Sequence, residues 1–106
     1  MLLLKILLMC SAGMSTSLLV TKMEKYAIKM GYKDIIIKSE AIDDLPQYVD
    51  EYDIFLLGPQ VRYREGWVQG IVEVKGKPYG NISPQDYGRI DGEKTLEFAI
   101  EIYNKH

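Results

Sequence analysis

A single cysteine followed by small and hydroxylic residues is the part of this sequence best suited to chemistry. Cys10 ends an apolar run, and the seven residues after it are small or hydroxylic except for one methionine. These residues are Ser11, Ala12, Gly13, Met14, Ser15, Thr16 and Ser17. Because an amphipathic segment follows, the pattern predicts a strand that ends at the thiol, a tight loop, and the start of a helix.

The predicted loop is suited to holding an anion on the sulfur. It contains no proline, so its backbone N–H groups are available as donors, and a helix N-terminus adds roughly half a positive charge. Such surroundings bind phosphate and favour the thiolate form of a cysteine. A lone cysteine is more often a small buried apolar side chain, but the position of Cys10 favours phosphorylation, with Ser11 to Ser17 binding the phosphoryl group.

Composition limits the class of protein. A chain of 106 residues predicts one domain over 1–106. The net charge of −2 provides no positive field for nucleic acid. One cysteine cannot form an internal disulfide, and the apolar N-terminal run is too short to span a membrane, so we expect a cytoplasmic protein. A lipoprotein signal ending before Cys10 is a poorer alternative, because no positive charge precedes the run.

Hydrophobic patterning predicts strands and helices in alternation. The predicted strands cover 2–9, 34–39, 53–57 and 78–79, and the predicted helices cover 15–30, 62–74, 84–87 and 92–105. A further short helix is predicted within the acidic segment 41–52, lined by Leu45, Tyr48 and Val49. Ser15, Ser83 and Asp91 are candidate N-caps, and Gly31 is placed to end the first long helix. We find no motif for a cofactor and no aspartate pair with the spacing of a metal site.

This alternation predicts a parallel sheet with right-handed crossovers and helices on both faces. Ligands of such sheets bind at the carboxyl ends of the strands, where the strand order reverses. If the first strand lies between the second and third, that point is Cys10, and the turn at Gly58 is its neighbour. Gln60 and Tyr63 are therefore candidate site neighbours, although an ordinary turn residue and an ordinary packing aromatic are equally good interpretations.

Two long motifs resemble enzyme IIB of the bacterial sugar phosphotransferase system (PTS), in its lactose/cellobiose/chitobiose type. They are LMCSAGMSTSLL at 8–19 and LLGPQVRY at 56–63, with Tyr87-Gly88 and Asp91-Gly92 also fitting the type. The resemblance implies a four-stranded parallel sheet in the order 2-1-3-4 and a phosphocysteine at Cys10. It implies a IIA phosphohistidine as donor, and as acceptor a β-linked disaccharide held by a membrane IIC protein during uptake. Arg62 and Arg64, on either side of Tyr63, depart from the family's usual pattern.

The low-molecular-weight tyrosine phosphatases, which resemble this fold and its phosphate-binding loop (P-loop), provide an alternative function. Their loop contains a cysteine, five residues, an arginine and then a serine or threonine. Here Thr16 stands in the arginine position and Ser17 follows it, so the guanidinium that would clamp phosphate is missing. The neutral loop favours a carrier that gives the phosphoryl group away. A regulatory module with a redox-active or structural Cys10 is the third alternative.

Overall fold

Strands and helices alternate along the chain in the computed structural model, which describes residues 3–11 and 16–106. The strands are β1 (Leu4–Cys10), β2 (Ile35–Ala41), β3 (Ile54–Leu57) and β4 (Tyr79–Asn81). The α-helices are α1 (Ser17–Lys29), α2 (Leu45–Tyr48), α3 (Glu65–Val74), α4 (Pro84–Gly88) and α5 (Gly92–Lys105). Two 3₁₀ segments, Ile42–Asp44 and Pro59–Arg64, lead into α2 and α3.

The described strands form one sheet in the order β2-β1-β3-β4, and all neighbouring strands are parallel. Leu8 of β1 lies opposite Ser39 of β2 on one side and Leu56 of β3 on the other. The predicted α/β class and the order 2-1-3-4 are confirmed. The chain order reverses at β1, so the carboxyl end of β1 lies at the switch point of the sheet.

The two faces of β1 enter two separate cores. Ile6 and Leu8 lie in a core that includes α1 and α5 residues, whereas Leu7 and Met9 lie in a core that includes α2 and α3 residues. All four side chains are fully buried. Burial on both faces explains why the β1 sequence is a nearly continuous apolar run rather than an alternating one.

Helices α1 and α5 approach each other closely where α5 begins. Leu19 and Met23 of α1 are buried in the same core as Leu96 of α5. A Cβ atom added to Gly92 would clash with the Lys22 carbonyl carbon and would lie 2.6 Å from the Met23 nitrogen. Only a glycine therefore allows the first turn of α5 to lie on the α1 backbone.

Most predicted helix ends are found in the structure. The Ser83 side chain accepts a hydrogen bond from Asp86 N at 3.1 Å, and the Asp91 side chain accepts one from Lys94 N at 3.0 Å. Gly31 has a φ of +79°, as a residue that ends a helix often does. Leu2 and Ser15, which were predicted to start the first strand and to cap the first helix, lie outside the described residues.

The predicted start of the third helix at Arg62 is wrong. The segment from Pro59 to Arg64 is a 3₁₀ helix, and α3 begins at Glu65. Val61 is buried, and its N–H donates to the Gly58 carbonyl at 3.1 Å, which winds this segment tightly against the end of β3. Periodicity alone does not separate this tighter turn from an α-helix.

Replacing Gly92 with alanine should destabilise the fold. The new methyl group would meet the α1 backbone, which cannot rotate away as a side chain could, so we expect a loss of about 1–3 kcal/mol. Gly70→Ala is the matched control, because nothing lies within 4 Å of a Cβ added in the middle of α3. That control should be neutral or stabilising by up to about 1 kcal/mol. Urea denaturation measures both changes, and equal stabilities for the two variants would contradict the close approach.

Candidate active site

Cys10 is the last residue of β1, and it is fully buried. It pairs with Ala41 of β2 and directly follows Met9, which pairs with Leu57 of β3. The buried Thr16 hydroxyl donates to the Cys10 sulfur, with 3.8 Å between Oγ1 and Sγ. The sulfur thus lies at the switch point of the sheet, in contact with a hydroxyl group.

The start of α1 lies beside this sulfur. Thr16 occupies the N-cap position, and its carbonyl accepts from Val20 N at 3.0 Å. Ser17, which begins the helix, is exposed, and so is Ser11, which follows the cysteine. The predicted loop residues Ala12, Gly13, Met14 and Ser15 lie outside the described residues. The placement of Thr16 brings the positive end of a 13-residue helix to the cysteine.

The turn after β3 forms a second side of the site. Gly58 N donates to the Met9 carbonyl at 2.9 Å, so this turn lies against the residue before the cysteine. A Cβ added to Gly58 would lie 2.9 Å from Gln60 Oε1 and 3.6 Å from Tyr87 Cε1. The structure therefore brings the Gln60 side chain, one of the two candidate neighbours, close to the end of β1.

Tyr87 is a site neighbour that the sequence analysis did not single out. It is half-buried in α4, and it packs against the core that contains Leu8. Its ring reaches the Gly58 turn from a helix that follows β4. The Tyr87-Gly88 motif was the available signal, but nothing local in the sequence indicates that α4 folds back over the turn after β3.

Tyr63 lies on the surface of the 3₁₀ segment. Its side chain is 81% exposed, so it is not a packing aromatic of the core. Leu18, in the first turn of α1, is 52% exposed. Arg64, by contrast, is held by an ion pair to Asp43 at 2.6 Å and by the Trp67 ring, whose centroid lies 4.3 Å from its guanidinium carbon.

Glu65 anchors the segment that carries Gln60 and Tyr63. Its carboxylate accepts hydrogen bonds from the Tyr79 hydroxyl at 2.9 Å and from the Asn81 amide at 3.0 Å. Burial and the hydrogen bond to Glu65 both raise the pKa of Tyr79 above its ordinary value. These two bonds join the start of α3 to β4 and so hold the end of the Pro59–Arg64 segment in place.

The described residues contain neither a candidate metal site nor a candidate membrane-spanning helix. Within residues 3–11 and 16–106, no group of three or more histidine, cysteine or acidic side chains lies close enough together to hold a metal ion. In the same part of the chain, none of the helices combines the length and the apolar character needed to cross a bilayer.

Comparisons with known proteins agree on one family. The model of the family "PTS system, Lactose/Cellobiose specific IIB subunit" matches residues 5–98. The PTS system galactose-specific EIIB component of Lactococcus lactis subsp. cremoris is 41% identical over 104 residues, covering 93% of this chain and 95% of the relative. The oligo-beta-mannoside-specific EIIB component of Bacillus subtilis is 37% identical over 98 residues, covering 92% of this chain and 94% of the relative.

Solved structures are similar over nearly the whole chain. The cellobiose-specific phosphotransferase IIB component from Borrelia burgdorferi superimposes with a TM-score of 0.79 at 42% identity, covering 96% of this chain and 93% of that one. The lactose-specific IIB component domain from Streptococcus pneumoniae has a TM-score of 0.83 at 24% identity, covering 94% of this chain and 97% of that one. The second likeness concerns the fold alone.

Replacing Glu65 with alanine should weaken the attachment of the Pro59–Arg64 segment, which lies beside the site. Two partly buried donors, on Tyr79 and Asn81, would lose their acceptor, so we expect a loss of about 1–3 kcal/mol. The pKa of Tyr79 should fall but stay above its ordinary value, since burial is the larger cause of its shift. Gln69→Ala is the control, because Gln69 is uncharged, is exposed on the same helix and donates to Glu73 rather than to Tyr79 or Asn81. Urea denaturation and ultraviolet titration of tyrosine measure the effects, and identical results for the two variants would contradict an anchoring role.

Proposed function

We propose a residue-level course of phosphoryl transfer for this chain, which belongs to the lactose/cellobiose-specific IIB family of the PTS. The chain is a phosphoryl carrier of this class, a protein-phosphohistidine–sugar phosphotransferase. In our proposal Cys10 accepts the phosphoryl group from the phosphohistidine of a IIA protein. It then passes the group to a sugar held by a membrane IIC protein, and the carrier works on the cytoplasmic side.

The strongest support for Cys10 as the acceptor is the position of its sulfur. Its sulfur ends the central strand at the switch point of the sheet, in contact with the residue that begins α1. Oriented helix N–H groups and a partial positive charge at that position favour an anion on the sulfur. His106, the only histidine of the chain, is a poor acceptor by comparison. Its Nε2 lies 2.8 Å from the Gly76 carbonyl, ahead of β4 at the other end of the sheet.

In the proposed transfer, the Cys10 thiolate attacks phosphorus in line with the departing donor imidazole. Charge spreads over the three equatorial oxygens in such a transition state, and fixed donors stabilise it. The proposed donors are the backbone N–H groups of the segment from Ser11 to Ser17, with Ala12, Gly13 and Met14 contributing only their backbone. The hydroxyls of Ser11, Ser15 and Ser17 complete the set, while the Thr16 hydroxyl contacts the Cys10 sulfur. Gln60 is a candidate neighbour of the bound group, since its amide lies beside the Gly58 turn.

The sugar is proposed to be a β-linked disaccharide of the cellobiose, chitobiose or lactose class. Three relatives that match more than 90% of the chain are named for galactose, cellobiose and oligo-beta-mannosides. These names differ although identity is similar, 41%, 41% and 37%. We therefore propose that the IIC partner selects the sugar, and that the IIB surface selects the partner proteins.

Hydrolysis by a phosphatase mechanism is the weaker candidate. A phosphatase of this fold has an arginine where Thr16 stands, and Thr16 directs its hydroxyl to sulfur rather than offering a guanidinium to phosphate oxygens. The proposed loop has no fixed cation to bind the phosphoryl oxygens. It therefore holds the phosphoryl group without opposing its transfer to the acceptor.

Phosphorylation by a phosphorylated IIA protein should place one phosphoryl group on Cys10. Intact mass and peptide mass spectrometry should locate it there in the wild type and in His106→Gln, and it should be absent from Cys10→Ser. The label should be stable in alkali and labile to iodine, as a sulfur-linked phosphoryl group is. An aryl phosphate should not be turned over by the same protein. Label on His106, or label that persists in Cys10→Ser, would refute the proposal.

Leu18 and Tyr63 should contribute to docking of the donor protein. Both are exposed at the carboxyl end of the sheet, where the phosphoryl group must pass. Truncating an exposed anchor of this kind to alanine should slow phosphorylation by IIA about tenfold. Ile28 and Val74 provide controls, because they are 78% and 82% exposed. Ile28 lies near the far end of α1, and Val74 ends α3, the helix that follows the Tyr63 segment. Initial rates of labelling measure the effect, and equal slowing by the control variants would argue against docking at this end.

A further inference from the structure

Thr16 is an N-cap residue whose side chain does not cap its helix. A threonine at this position usually accepts a hydrogen bond from an N–H of the first helical turn. Here the Thr16 side chain makes no such bond to the described residues of α1. Its hydroxyl instead donates to the Cys10 sulfur, with 3.8 Å between the two atoms.

We propose that the Thr16 hydroxyl is a dedicated donor to the Cys10 sulfur, which stabilises the thiolate before phosphoryl transfer and again when the phosphoryl group leaves. This inference rests on the proposed function of Cys10. It separates Thr16 from the other hydroxyl residues, because it assigns the Thr16 hydroxyl to the sulfur rather than to the phosphate oxygens.

Burial makes this contact more important than an exposed one. Both Thr16 and Cys10 are fully buried. A sulfur anion at such a place has lost most of its water, so a protein donor has to take over part of the solvation. Ser11 and Ser17, by contrast, are exposed, although each directly follows one of these two buried residues in the sequence.

The contact acts on both halves of the reaction. In the first half, the sulfur electron pair forms the S–P bond while the P–N bond to the donor imidazole breaks, and the imidazole then takes a proton from solvent. In the second half, a sugar hydroxyl forms the O–P bond and gives its proton to water or to a base of the acceptor protein. The S–P bond breaks and its electron pair returns to sulfur. Since the hydrogen bond strengthens as sulfur gains charge, Thr16 lowers the barrier to release.

The same position has a structural benefit. The Thr16 side chain does not bond to the N–H groups of the first turn of α1, and N–H groups at a helix N-terminus are suited to binding phosphoryl oxygens. The Thr16 hydroxyl thus contacts the sulfur and does not compete with an anion for these N–H groups. A cap of the usual geometry would occupy one of them.

Substitution of Thr16 by valine tests the inference, with Thr16→Ser as the matched control. Valine keeps the shape of threonine and lacks the donor, whereas serine keeps the donor. The ultraviolet absorbance of the thiolate, followed against pH in the full chain, measures the pKa of Cys10. We expect Thr16→Val to raise that pKa by about one unit, the size expected from losing a hydrogen bond to a charged group. Thr16→Ser should change it by much less.

A merely structural role for Thr16 would change stability without changing the titration of the thiol. Urea denaturation of all variants therefore accompanies the titration, and Thr16→Ala replaces the valine variant if the latter fails to fold. An unchanged pKa in the variants without a hydroxyl overturns the inference, as does an equal shift in Thr16→Ser. Labelling of Cys10 by phosphorylated IIA is a separate measurement: a wild type that takes no label refutes the proposed function, whereas a labelled protein with an unchanged titration refutes only the role of Thr16.

Discussion

The structure depends on the burial of β1 on both of its faces. Its side chains alternate between two cores, and its backbone pairs with β2 on one edge and β3 on the other. A shift of one residue in register would exchange the two apolar sets and would move Cys10 off the end of the strand. The position of the sulfur is therefore fixed by the packing of the whole sheet, not by the residues that contact the sulfur.

Three other segments meet this strand end, and each is held by a contact far away in the sequence. The α1 helix is held where Gly92 lies on its backbone, 70 positions after Lys22 in the chain. The Pro59–Arg64 segment is held through Glu65, which binds Tyr79 and Asn81. Tyr87 reaches the Gly58 turn from α4. The described parts of the site are thus held by contacts with distant segments, an arrangement suited to keeping donors in place without reorganisation.

Local patterns were sufficient to predict most elements of this fold. Apolar runs indicated the strands, and Ser83 and Asp91 indicated helix starts, because these signals are carried by a few neighbouring residues. The strand order followed from the family resemblance rather than from periodicity. The 3₁₀ segment was missed because its apolar spacing also fits an α-helix, and the buried Val61 decides the matter only once β3 is in place. The direction of the Thr16 hydroxyl and the reach of Tyr87 depend on contacts between segments, which no local pattern contains.

Burial of the sulfur and exposure of its surroundings suit the two demands on a carrier. If Cys10 carries the phosphoryl group as proposed, water must be kept from the sulfur to prevent hydrolysis, and Cys10 lies fully buried at the end of its strand. Partner proteins must nevertheless reach it, and Ser11, Ser17, Leu18 and Tyr63 present an exposed polar and apolar rim at the same end of the sheet. A fixed arginine in the cradle would bind the phosphoryl oxygens in every state and so would oppose release. In our proposal the Thr16 hydroxyl acts differently, because its contribution to release grows as the S–P bond breaks, and a site without a fixed cation therefore favours transfer over retention.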